Sequence, residues 1–150
     1  MPTTPVSTFE PSANRIDPVF APDLSRVLSI APNPSTTSTA TVTYTRGTLM
    51  AEFSATSLAG VYAPYASTAS TNGLSTPKGI LQYTVTVDSN GNVQLAGEFG
   101  QTQKGCPMWM PGGAIWRIQD LVGLDANALT AMDGAVVEGS VSSATGLIRL

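Results

Sequence analysis

Between Arg46 and Leu81 the chain reads RGTLM, then GVYAPYASTAS, then TNGLSTPKGIL, and each apolar string is soon cut by Gly, Pro, Asn or Ser. Proline fixes φ and removes a hydrogen-bond donor, while glycine supplies backbone freedom, so short β-strands bent around tight connections fit this stretch and a long helix does not. The expectation is a compact β module. At 150 residues with 42% hydrophobic content, one domain with one core is expected.

The region before Thr39 has a different texture. Pro2, Pro5, Pro11, Pro18, Pro22, Pro32 and Pro34 lie there, seven of the chain's 11 prolines. That density disfavours helix and favours extended or polyproline-like backbone. Val6, Phe9, Ile16, Val19, Phe20, Leu24, Val27, Leu28 and Ile30 recur through it, more apolar residues than a simple flexible linker carries. Residues 1–38 therefore read as an extended arm that orders when those side chains meet a partner, and 39–150 as the β-rich body. For Asp23 to Ile30 a second reading stands beside the arm, a first strand packed on the chain's own domain.

Within the body, TATVTYT alternates Val42 and Tyr44 against threonines, the period of a half-buried strand, and Leu49 and Phe53 continue an apolar face. Gly60 and Pro64 bracket VYAPY, and Ser67 to Thr76 reads as a loop. ILQYTVTVD and NVQLAGEF flank Ser89-Asn90-Gly91, which predicts a hairpin with Leu81, Tyr83, Val85 and Val87 facing Val93, Leu95 and Phe99. Met108, Trp109 and Met110 lie between Pro107 and Pro111, in what reads as a loop unable to extend as regular structure. Two roles fit this triplet: a cap on the barrel end, or an intersubunit contact using Met plasticity and Trp area. AIWRI reads as a strand carrying Trp116. Asp125 can cap a two-turn helix over ANALTAM, with Leu124 and Leu129 as a hydrophobic staple and Gly134 closing it; AVVEGSV and GLIRL read as closing strands.

The chemistry available is narrow. With no histidine, imidazole catalysis and histidine metal sites are excluded, and the single Cys106 excludes an intrachain disulfide and a multi-cysteine zinc site. Cys106 reads as a buried, inert thiol. The ten carboxylates are dispersed, no phosphate-binding glycine loop occurs, and no cofactor is expected. A net charge of −3 with scattered arginines argues against nucleic acid. No apolar run reaches membrane-span length, and the start MPTTPVSTFEPS lacks the pattern of a secretory leader, so no membrane partner is expected and synthesis in the cytoplasm is.

In order, RGTLM (Arg46 to Met50), GVYAPY (Gly60 to Tyr65), the small-residue loop with Gly73, PKGIL (Pro77 to Leu81), the hairpin ending VQLAGEF (Val93 to Phe99) and LVGLDANALTAM (Leu121 to Met132) resemble the lambda-type bacteriophage head decoration, or capsid cement, proteins. The resemblance covers roughly Thr39 to Leu150. It implies a mainly β fold, a β-clip-like small mixed β barrel with one short α-helix and an extended N-terminal arm. It also implies a homotrimer on the outer surface of the expanded phage head that clamps adjacent subunits of the major capsid protein. The arm residues Val6, Phe9, Ile16, Val19, Phe20 and Leu24 would then bind the capsid, and Met108, Trp109, Met110 and Trp116 are the candidates for the trimer interface. The expected location is the virion. Two other readings remain: a different phage structural adhesin, such as a tail or fibre subdomain binding a host receptor, and a small β-barrel enzyme using carboxylates.

Overall fold

Ten short strands and a helix follow one another along the chain in the computed structural model, which describes residues 25–31, 41–69, 72–95, 103–110, 115–132 and 136–138. The strands are β1 (Ser25–Ile30), β2 (Val42–Tyr44), β3 (Leu49–Glu52), β4 (Val61–Pro64), β5 (Gly79–Leu81), β6 (Val85–Val87), β7 (Val93–Leu95), β8 (Cys106–Trp109), β9 (Ile115–Arg117) and β10 (Val136–Glu138). Helix α1 (Ala126–Ala131) is the only α-helix among the described residues. The fold is mainly β, as expected, and centres on a small mixed barrel.

Five strands close that barrel in the order β1-β4-β3-β5-β8. β1 runs parallel to β4, with Ser29 opposite Val61, and antiparallel to β8, with Ser25 opposite Trp109. The other neighbours are antiparallel. All five strands send side chains into one cluster: Ile30, Tyr62, Met50, Leu81, Cys106 and Met108 are buried together, which identifies the barrel interior. Alternate residues of the same strands face outward into other packing, as the two-residue period of a strand requires. Leu49, Ile80 and Trp109 meet Trp116, Leu121, Ala128 and Met132 on one outer face. Ala51 and Ala63 meet Phe53 and Leu74 on another.

The antiparallel sheet β2-β6-β7 closes one end of the barrel. Its Tyr44, Val85, Val87 and Val93 join the interior cluster, and the Tyr44 hydroxyl donates to the Ala31 carbonyl at 3.3 Å, just past the end of β1. β9 and β10 form a separate parallel pair.

Several expectations need correction. Of the two readings of Asp23 to Ile30, the structure shows the first strand packed on the chain's own domain: Ser25–Ile30 is a barrel strand, so the arm does not extend through it, and Leu28 and Ile30 pack inward while Val27 and Ser29 point out. Residues 1–24 and 32–40 lie outside the described residues. ILQYTVTVD is not one strand: Gly79–Leu81 belongs to the barrel and Val85–Val87 to the end sheet, and the chain crosses between them where Gln82 N donates to Pro107 O and Arg46 N to Thr84 Oγ1. The rows named for the hairpin do meet, Val85 opposite Leu95 and Val87 opposite Val93, while Phe99 lies outside the described residues. Lastly, Cys106–Trp109 is a strand despite its proline. Pro107 accepts from Gln82 just beyond the last residue of β5, so its missing N–H removes one bond at the end of a ladder rather than one in the middle.

Candidate partner-binding surface

The register fixes which end of the barrel the N-terminal residues lead to. β1 begins at Ser25 beside Trp109 and ends at Ile30 beside the end sheet, so residues 1–24 join the barrel at the opposite end. Val6, Phe9, Ile16, Val19, Phe20 and Leu24 themselves lie outside the described residues. What can be described is the surface where that segment is rooted.

β1 is paired unequally there. Ser25 to Leu28 all have partners on β8, but the ladder to β4 starts only at Ser29 opposite Val61. Val27, 70% exposed, lies on this open length and is the most exposed large apolar side chain among the described residues. Leu58 is exposed, in a 3-10 turn at Thr56–Leu58 with no buried residue. Among the described residues this length of β1 has no ladder partner on its β4 side, and with the exposed Val27 it can pair its main chain with an extended segment and cover apolar area at once.

A charged group stands alongside. Lys78, just before β5, places Nζ 3.0 Å from Glu52 Oε2 at the end of β3, and the Gly60 N–H donates to Glu52 Oε1 at 2.9 Å. Hydrogen bonding from Lys78, then from the Gly60 N–H, holds the Glu52 carboxyl below its ordinary range. Glu52, Lys78, Leu58 and the exposure of Val27 were not singled out from sequence. The signal for Lys78 was present in PKGIL, but an ion pair across 26 positions is set by strand register.

The four residues proposed for a trimer interface separate. Met108 and Trp116 are fully buried within the chain and Trp109 is 7% exposed, so these side chains serve the core and leave no surface for a partner. Met108 fills the barrel interior, whereas Trp109 and Trp116 pack edge to face outside it, ring centres 6.2 Å apart at 65°. Trp116 Nε1 is buried without a hydrogen-bond partner. Met110, next to the root of the N-terminal segment, is half-buried.

Among the described residues no group of three or more His, Cys, Asp or Glu stands together. Burial pushes the Cys106 thiol up to about 12, the opposite of a nucleophile's environment. No described helix is long and apolar enough to cross a membrane. Comparison with family models, with curated proteins and with solved structures finds no match.

Proposed function

We propose that this chain is a viral capsid decoration, or cement, protein, which binds as a homotrimer to the outer surface of an expanded phage head and clamps adjacent subunits of the major capsid protein. The observation that carries the reading is the way the N-terminal segment is rooted. The proline-rich residues 1–24, which include Val6, Phe9, Ile16, Val19, Phe20 and Leu24, lead directly into barrel strand β1, whose first four residues, among the described residues, are paired with β8 and have no ladder partner on the β4 side. A rigid anchor lowers the entropy lost when such a segment docks, and three segments on one trimer multiply modest contacts through effective concentration.

The motif series behind the resemblance is compatible with this. RGTLM runs into β3, VYAP is β4 and GIL is β5, and these strands are neighbours in the barrel in the order β4-β3-β5. The reading needs no cofactor.

The test is cosedimentation of the full chain with expanded capsids, beside a truncation that removes residues 1–24 and leaves β1 intact. Binding by the full chain and its loss on truncation are expected. Failure of the full chain to bind rejects the cement reading and leaves a receptor-binding adhesin as the next to test. Undiminished binding by the truncation rejects the role of the segment. A stable monomer at micromolar concentration would reject a preformed trimer.

A further inference from the structure

The chain contains two Asn-Gly steps, Asn72-Gly73 and Asn90-Gly91, and the structure treats them differently. In such a step the glycine main-chain nitrogen can attack the asparagine Cγ. The new C–N bond closes a succinimide, ammonia leaves with the proton from that nitrogen, and water then opens the ring at either carbonyl to give aspartate or isoaspartate. The step needs an exposed amide and a glycine nitrogen free to approach it.

Asn72 meets neither need. It is half-buried, its main-chain oxygen accepts from Ser54 N at 2.9 Å and its Oδ1 accepts from Leu74 N at 3.2 Å. The backbone of Gly73 is pressed against the chain just after β3, so that a Cβ there would stand 2.6 Å from Ser54 N and 2.8 Å from Glu52 O.

Asn90 is exposed at the tip of the β6–β7 hairpin, and nothing stands within 4 Å of where a Gly91 Cβ would be. Its restraint is local. The Gly91 N–H donates to the Asp88 carbonyl at 3.0 Å, and Asp88 Oδ1 accepts from Asn90 N and Asn92 N at 2.8 and 2.9 Å. Asp88 Oδ2 accepts from Asn92 Nδ2 at 2.8 Å, and Lys104 Nζ donates to the Asn90 carbonyl at 2.9 Å.

We infer that Asn90 is a site of spontaneous deamidation on this protein, gated by the Asp88 clasp: conversion proceeds through the fraction of hairpins in which the Gly91 N–H has left the Asp88 carbonyl. The isoaspartate product lengthens the main chain by one methylene and places a new carboxylate beside Asp88, so a converted hairpin cannot reform the same clasp. Conversion is therefore a one-way mark of time spent open.

The experiment incubates the full chain in mildly alkaline buffer and follows Asn90 and Asn72 by peptide mass spectrometry, for the natural sequence, Asp88→Ala and Lys104→Ala. Asn90 is expected to convert while Asn72 stays amide. Asp88→Ala should raise the Asn90 rate by roughly three- to tenfold, the opening gained when a few loop hydrogen bonds are lost, and Lys104→Ala by less. Asn72 reports global unfolding in the same sample. If Asp88→Ala raises both sites together, the comparison passes to Lys104→Ala, where a rise at Asn90 alone supports the gate. Equal Asn90 rates in the natural sequence and the folded variants, or faster conversion of Asn72, overturn the inference.

Discussion

The Tyr65 hydroxyl donates to Asp125 Oδ1 at 2.9 Å, and the same carboxylate oxygen accepts the Ala128 N–H at 2.7 Å. One oxygen thus caps α1 and ties it to the residue that follows β4. The Ala128 N–H, with the Tyr65 hydroxyl adding to it, holds Asp125 below the usual carboxylate range, while partial desolvation and then the Asp125 bond raise Tyr65. Tyr65→Phe should lower Tm by a few degrees. Asp125→Ala should lower it further, because it also uncaps the helix. Calorimetry that ranks the two in the reverse order would refute the shared-oxygen account.

Met108→Ala should destabilise the isolated chain by ~2–5 kcal/mol, since it empties part of the barrel interior. Val27→Ala, on the open strand length, should stay within ~0.5 kcal/mol. Urea unfolding at two protein concentrations checks both. A Met108→Ala effect that disappears on dilution would return that residue to an intersubunit contact.

Gly60 and Gly73 both have positive φ, 78° and 86°, but a Cβ at Gly60 meets nothing within 4 Å whereas one at Gly73 meets Ser54 N at 2.6 Å and Glu52 O at 2.8 Å. Gly60→Ala carries the left-handed backbone penalty alone, ~1–2 kcal/mol. Gly73→Ala adds a collision with main chain that cannot swing aside, and should be clearly the more damaging in the same denaturant series.

Glu52, Asp88 and Asp125 all have lowered carboxyl pKa values, through Lys78, Asn92 and the Ala128 N–H respectively. A group depressed in the folded state contributes stability that is full above its unfolded pKa and lost as pH falls through its folded one. With unfolded carboxyls near ~4, Tm should hold from neutral pH down to about 5 and then drop. A flat Tm down to pH ~2 would show that these bonds do not stabilise the fold.

Cys106 has the opposite sign. Its folded pKa is raised to about 12 by burial, so its contribution is full below the unfolded thiol value and declines as pH climbs toward 12. At neutral pH a thiol reagent should leave the native chain untouched and label it on unfolding, with the labelling rate following urea concentration. Rapid labelling of the native chain would contradict the burial of this strand.

The sequence reading succeeded where a local signal was sufficient. Asp125 followed by ANALTAM is self-contained, and the cap, the staple residues Leu124 and Leu129 packed against one core cluster, and the buried Met132 stand where the pattern places them. Gly91, with φ 73°, turns the hairpin as Asn-Gly implies. Where sequence and structure part, the cause is pairing at long range. Nothing local tells whether Ser25–Ile30 pairs with a strand about 80 positions later, and it is that pairing that decides between its two readings in favour of barrel wall. The same pairing makes Met108 interior, although its neighbouring prolines suggest a loop. Val27 reads in sequence as one more arm residue, and its exposure follows from where β4 begins, since the β1–β4 ladder starts only at Ser29.

The place of β1 also sets how the molecule bears force. A pull on the chain before Ser25, directed along the strand, loads the four β1–β8 pairs from Ser25–Trp109 to Leu28–Cys106 side by side, so that they must slip together and cannot be peeled one at a time. The parallel pairing with β4 resists from the other flank. A segment rooted in this manner would yield by wholesale sliding of a barrel stave, whereas one rooted in a surface loop would simply unravel.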